Sequence, residues 1–231
     1  MNRLYGLSLR GEVSLHPIRP WADYMRFFCV LVLFSVACSI PVCGQQLVSG
    51  PVVILIGPPG SGTSEQASAA AKYLRLPIIS VSDLIAENAA ELKEARTPGL
   101  SGMEPETDPI LNKFFEARLR RGDLSNGMIL DGYPNTKDQA DFGSKLVASG
   151  AISKPVILRL EIPDDVVRKR LAGKNGKLPA SVEQRLKDYR RETVAVEVYF
   201  PNAHIVNIDA NKFPDIVAEN VKAVLKAEFH K

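Results

Sequence analysis

Beyond residue 43 the sequence contains no cysteine and no tryptophan: Cys29, Cys38, Cys43 and Trp21 all precede that point. The later part of the chain therefore has no disulfide framework, no CxxC metal knuckle and no reactive thiol, and cysteine usage says nothing about its redox compartment. Histidine is also scarce. His16, His204 and His230 are far apart, and none has a partner at metal-ligand spacing. An excess of one charge is missing too. The formal net charge is +3, but residues 1–44 hold four arginines and two acids, which leaves 25 basic against 24 acidic side chains in the rest. That balance argues against nucleic acid as a partner. There is no internal repeat and no low-complexity tract. With 231 residues, 45% hydrophobic and 24% charged, the composition is that of a globular protein with enough chain for one sizeable core.

One long apolar run is present. Phe27 to Cys43 is 17 residues without a charge, preceded by Arg26 and ended by Pro41, Val42, Cys43 and Gly44. A charged start, an apolar stretch and a small-residue exit match a secretory signal peptide. The run is slightly short for a membrane span of about 20 residues. An uncleaved N-terminal anchor, a lipid-attached cysteine and a buried helix are the alternatives. Met25 stands just ahead of Arg26 and would make a conventional start, with residues 1–24 as an upstream extension of the frame. The expected location is exported or membrane-anchored, with the cytoplasm as the alternative, and any membrane contact is expected through this segment alone.

From residue 45 onward, short apolar runs alternate with segments of helical spacing. Val52–Ile56, Ile78–Ile79, Met128–Leu130, Pro155–Ile162 and His204–Ile208 read as strands. Helices are expected over 64–75, 82–94 with Ser82 as N-cap, 110–121, from after Gly132 to about Ala148, and from Pro163. Val182, Leu186, Tyr189, Thr193 and Val196 mark a further helix, and Phe213, Val217, Val221, Val224 and Leu225 the closing one. Thr97–Pro109, with three prolines and two glycines, is expected as a mobile loop. Such alternation implies an α/β fold with a parallel sheet covered by helices on both faces.

Between the first strand and the first helix stands Gly57-Pro58-Pro59-Gly60-Ser61-Gly62-Thr63-Ser64. Glycines there let successive backbone N–H groups curl around phosphate oxygens, and the helix N-terminus adds partial positive charge. The phosphate-loop pattern G-x-x-x-x-G-K-[ST] is met at Gly57, Gly62 and Ser64. Its lysine position holds Thr63. A ligand-free glycine turn would share these features. Asp131, after a buried strand, lies where ligands of parallel sheets collect. Asp164-Asp165 reads as ordinary first-turn helix chemistry rather than a metal pair, and Arg118, Arg120 and Arg121 as a solvated helix end.

Further blocks carry a resemblance. They are Glu65-Gln66-Ala67, Ile79-Ser80-Val81-Ser82-Asp83-Leu84-Ile85, Asn126 through Leu130-Asp131-Gly132-Tyr133-Pro134-Asn135-Thr136 with Gln139-Ala140-Asp141, Ile162-Pro163-Asp164-Asp165 to Arg170-Leu171, and Arg185-Leu186 with Tyr189 and Thr193. In order and spacing the chain resembles adenylate kinases over about residues 51–228. The resemblance implies a three-layer P-loop kinase fold with a five-stranded parallel sheet, a helical segment over 80–121 that covers an AMP site, and a lid. It implies Mg2+-dependent transfer of a phosphoryl group from ATP to AMP. Asp131, Arg170 and Arg185 match catalytic positions, with Asp131 touching magnesium only through water. Residues Gly57–Ser64 match the phosphate loop, and Ser80, Asp83, Gly132 and Gln139 fall on the AMP side.

The departures from that family are heavy. Thr63 replaces the loop lysine, and Glu65 a threonine. Val81 replaces a threonine, Ala86 and Asn135 each an arginine, and Lys174 a third arginine. The lid shrinks to residues 174–181. Even at about tenfold each, or about 1.4 kcal/mol, such losses would remove most of a reaction that depends on charge compensation. The expectation is a nucleotide- or anion-binding monomer in which transfer is weak or lost. The alternative is an active kinase with a modified loop, using Mg2+ with ATP. Adenine nucleotides or another phosphate-bearing small molecule are the expected partners.

Overall fold

The computed structural model describes residues 46–94, 108–172, 179–200 and 203–229. The N-terminal leader, most of the Thr97–Pro109 stretch and the lid residues 174–178 lie outside it. Among the described residues no helix is long and apolar enough to cross a membrane.

Five strands form one parallel sheet: β1 (Val52–Ile56), β2 (Ile78–Ser80), β3 (Met128–Asp131), β4 (Val156–Glu161) and β5 (His204–Asp209), in the order β2-β3-β1-β4-β5. All five residues of β1 are buried, which is why its sequence is continuously apolar rather than alternating. Its side chains still divide by period two. Val52, Ile54 and Ile56 join one core cluster, and Val53 and Leu55 the other. Burying each contributes about 1.5–3 kcal/mol.

Helices cover both faces. They are α1 (Thr63–Leu74), α2 (Val81–Glu87), α3 (Ala89–Glu94), α4 (Asp108–Leu119), α5 (Lys137–Ala148), α6 (Asp164–Leu171), α7 (Ala180–Tyr199) and α8 (Pro214–Phe229). Leu111, Phe114, Phe115 and Leu119 of α4 fill the first cluster, with Tyr133, Val196 and Phe200. Ala67 and Ala70 of α1 and Val217, Val221 and Leu225 of α8 fill the second. The result is the expected three-layer α/β architecture.

Three expectations are corrected. Ser80, not Ser82, caps α2: its Oγ accepts from the Asp83 N–H at 3.0 Å, while Ser82 Oγ lies 2.8 Å from Ser80 Oγ. The expected helix over 82–94 is two helices, broken at Asn88, whose Nδ2 donates to the Leu84 carbonyl at 2.7 Å. Phe213, assigned to the apolar face of the closing helix, is 78% exposed because it precedes Pro214, where α8 begins.

The charge-rich helix ends are ion-paired, and Arg118 departs from the expected solvated end: its side chain is only 13% exposed. Arg118 forks onto Asp123 at 2.5 and 2.7 Å, Arg120 pairs with Glu116, and Arg121 with Glu87. Asp165 pairs with Lys169 and Asp164 with Arg190. Among the described residues no group of three or more His, Cys, Asp or Glu could hold a metal.

Candidate functional site

The loop from Gly57 to Gly62 leaves the C-terminal end of β1 and delivers the chain into α1. Gly60 and Gly62 adopt φ of 77° and 90°, the left-handed region where a side chain is strained. Gly57 has a different reason to be glycine: a Cβ there would lie 2.4 Å from Ser61 Oγ. The turn is fixed by Ser61 N–H donating to the Pro58 carbonyl at 3.0 Å and Gln66 N–H to Gly62 at 3.0 Å. A glycine turn of this kind ahead of a twelve-residue helix is suited to anions.

Asp131 stands beside the loop. It ends β3, with Leu55 of β1 and Ser80 of β2 as its neighbours in register. Burial pushes its carboxyl above the ordinary carboxylate range, and hydrogen bonds from Ser64 and Thr63 oppose that shift. The nearby charge of Asp83 raises it further. Thr63, at the lysine position, thus lies near enough to act on the Asp131 carboxyl.

Two cavities share the loop. The first, of about 610 Å³, is lined by the loop, Ser80, Asp131, Gly132, Arg185 and Tyr189, among others. The second, of about 590 Å³, lies toward the end of β5 and is lined by Ser61, Gln66, Arg170, Asn211, Lys212 and Phe213, among others. Gly60, Gly62 and Glu65 line both.

Most residues singled out in the sequence meet here. Gly57, Pro58, Pro59, Gly60, Gly62, Thr63, Ser64, Ser80, Asp131, Gly132 and Arg185 line the first cavity. Ser61 and Arg170 face the second. Arg170 is tethered, donating to the carbonyls of Gly60 at 3.0 Å and Ala210 at 2.9 Å. Two residues lie elsewhere. Asp83 is exposed and outside both linings. Gln139 is fully buried: its Nε2 donates to Asp108 at 2.7 Å and its Oε1 accepts from the Asn135 N–H at 2.8 Å. Lys174 lies outside the described residues.

The second cavity was not anticipated from sequence. The rule that selected Asp131, a residue at the C-terminal end of a parallel strand, extends to Asn211 and Lys212 just after β5. Two buried atoms at this cavity, Ser61 Oγ and Gln66 Oε1, have no hydrogen-bond partner. Buried polar atoms without partners are unusual in a folded interior.

A family model described as "Adenylate kinase" matches residues 55–205, which hold the whole loop, Asp131, Arg170 and Arg185. The chain belongs to the adenylate kinase family. It is 32% identical over 173 residues to the adenylate kinase of Corynebacterium urealyticum, an alignment covering 72% of this chain and 94% of that protein. It is 31% identical over 212 residues to the adenylate kinase of Methanosarcina barkeri, covering 75% and 98%. The Nocardia farcinica adenylate kinase is 34% identical over 147 residues, covering 61% and 81%.

Adenylate kinases bind adenine nucleotides and use Mg2+ with ATP. The donors here suit that hard cation: one carboxylate, Asp131, with the hydroxyl of Ser64 beside it. Mg2+ is commonly held by one or two carboxylates together with substrate phosphates. When bound it would neutralise charge on the phosphates.

Proposed function

We propose that this chain is an adenine-nucleotide-binding member of the adenylate kinase family in which phosphoryl transfer from ATP to AMP is weak or lost. The observation that carries this is Thr63 at the lysine position, lining the first cavity together with Asp131. A lysine there would offer phosphate a charge-assisted bond; a threonine hydroxyl offers a neutral one at best. Two further features support the reading. The Arg170 guanidinium is engaged with two backbone carbonyls. Glu65 adds a carboxylate to both cavities. Phosphoryl transfer depends on positioning and charge compensation, and one arginine can be worth about 10³–10⁵ in rate.

The test is a coupled assay for ADP formed from ATP, AMP and Mg2+, run beside Thr63→Lys. Wild-type turnover at ordinary enzyme rates, about 1–10³ per second, would refute the reading. The competing reading, an active kinase, draws support from Asp131 and Arg185 lining one cavity with the loop.

We further propose that residues 1–44 export the domain or anchor it, and that the domain works as a monomer without nucleic acid. Sequencing the N-terminus of the protein purified from its own cells checks the first point, and a mature chain beginning at Met1 would refute cleavage. Sedimentation checks the second.

A further inference from the structure

Helix α4 grips the turn between β3 and α5 with one of its faces. Asp108, Asn112 and Phe115 stand on that face at helical spacing. Phe115 lies against the Tyr133 ring, with centroids 4.4 Å apart. Asn112 Oδ1 accepts from the Tyr133 hydroxyl at 2.6 Å. Asp108 reaches further, to the start of α5. Its carboxyl accepts from Thr136 Oγ1 at 2.6 Å and from Gln139 Nε2 at 2.7 Å. Thr136 is itself the cap of α5, with Oγ1 accepting from the Gln139 N–H at 3.3 Å. Asp108, Thr136 and Gln139 are all buried, and the turn they hold carries Gly132 and Asn135 into the lining of the first cavity.

The Gln139 amide relays this grip. Its two ends are alike in shape and opposite in hydrogen-bonding sense. Nε2 meets the Asp108 carboxyl, and Oε1 accepts from the backbone N–H of Asn135 at 2.8 Å. An acceptor at position 108 thus fixes which end of the amide faces Asn135. The reversed amide would set two donors against each other there. An apolar side chain of similar size would fill the place at a smaller desolvation cost, so packing alone does not account for an acid at this point.

We propose that Asp108 is a positioning residue for the first cavity. Acting through the Gln139 amide, it holds the Asn135 backbone, and with it the turn that presents Gly132 and Asn135 to a ligand. The effect on ligand affinity rests on the reading that this cavity binds an adenine nucleotide; the hold on the turn does not.

The experiment follows hydrogen exchange at single backbone amides of the full-length protein by NMR. The variants are Asp108→Leu, Asp108→Asn, Gln139→Leu and the Asp108→Leu/Gln139→Leu pair, each also titrated with AMP by calorimetry. Exchange at Asn135 is read relative to Ile129 and Leu130 of β3, so that a change in global stability cancels. In Asp108→Leu the Asn135 amide should exchange about tenfold faster, the effect of roughly one hydrogen bond. Asparagine keeps an acceptor for Gln139 Nε2 and offers a donor that the Thr136 hydroxyl can accept, so Asp108→Asn should restore wild-type exchange. Gln139→Leu should match Asp108→Leu, and the double variant should add nothing, because both changes act on one bond. AMP affinity should fall about fivefold in the leucine variants, again the scale of one hydrogen bond, and return in Asp108→Asn. Unchanged Asn135 exchange in Asp108→Leu would overturn the proposal. So would an asparagine variant as fast as the leucine one, or a double variant in which the two effects multiply. So would a turn that loosens while AMP affinity stays the same. If Asp108→Leu does not fold, Asp108→Ser, too short to reach Gln139, replaces it with the same expected result. If the wild type binds neither AMP nor ADP, the nucleotide reading falls, and the exchange series alone decides whether Asp108 holds the turn.

Discussion

The guanidinium of Arg170 donates to the carbonyl of Gly60 at 3.0 Å, joining the end of α6 to the phosphate loop across 110 residues of chain. A second bond, to Ala210 at 2.9 Å, joins the same group to the end of β5. One side chain thus splices the loop to the C-terminal edge of the sheet and holds the mouth of the second cavity in shape. The fork geometry of guanidinium suits two acceptors at once; an ammonium on a flexible stem does not.

Arg170→Lys should therefore behave much like Arg170→Ala. Both are expected to weaken ADP binding about tenfold, or about 1.4 kcal/mol. Titration calorimetry checks this. Full affinity in the lysine variant would show that only the charge matters, not the double tether.

Thr63→Lys restores a cation beside Asp131. ADP affinity should rise by about tenfold or more, in line with the roughly doubled strength of charge-assisted hydrogen bonds. Its ammonium should also draw the Asp131 carboxyl down, opposing the rise that burial causes. An unchanged dissociation constant would mean that the loop does not present this position to phosphate.

Asp108 gives a prediction about pH. It is almost fully buried, and accepts from Thr136 Oγ1 at 2.6 Å and Gln139 Nε2 at 2.7 Å. Burial raises its carboxyl above the ordinary 3.8, the hydrogen bonds oppose this, and the fields of Asp138 and Glu192 add to the rise. The native state thus holds this proton more tightly than the unfolded chain. The contribution is full below the unfolded value and is lost as pH rises through the folded one. Asp108→Asn removes the titration. The Tm of the variant minus that of wild type should become more positive between about pH 4 and pH 7. A flat difference would show that the two hydrogen bonds cancel the effect of burial.

Arg75 ends α1 with φ 56°, as a left-handed cap whose N–H bonds to the Ala71 carbonyl. Glycine is the usual residue for that conformation. Arg75→Gly should stabilise the fold by up to about 1 kcal/mol, because the left-handed conformation costs other residues about 1–2 kcal/mol and glycine's entropy offsets part of the gain. Urea denaturation with an unchanged m-value measures this, and a loss of stability would refute it.

Gly127 is a contrasting case. Its φ is 121°, and a Cβ would lie 2.5 Å from the Pro51 carbonyl oxygen. Gly127→Ala should cost about 1–3 kcal/mol from strain and clash together. The same denaturation experiment would show wild-type stability if the chain can shift there.

Periodicity was enough to locate every strand of the sheet. The runs of β1 and β3 are short, buried and flanked by proline or glycine, and such boundaries are local chemistry; β5 is mostly exposed or half-buried and has neither at its ends. The helix caps were harder. Ser80 and Ser82 are both good N-cap residues, and only the backbone geometry shows that Ser80 reaches the Asp83 N–H. The break at Asn88 has no proline or glycine to announce it. It depends on one side chain bonding back to a carbonyl four residues earlier.

The candidate site divides in the same way. The glycine loop is written into consecutive residues, since left-handed dihedrals and close backbone approach select glycine one position at a time. That the lysine of the loop is absent is equally plain from Thr63. The sequence alone therefore determined the α/β class, the place of the phosphate loop and the loss of its cation. Only the tertiary structure decided where the remaining polar groups sit: Arg170 on two carbonyls, Gln139 in the buried Asp108 network, Thr63 with Asp131 in the lining of the first cavity, and Lys212 and Gln66 around a second. The reason is that a side chain's partner is set by which strands lie side by side. Arg170 meets Gly60 because crossover connections bring distant strand ends to one edge of the sheet, and no local pattern encodes that distance.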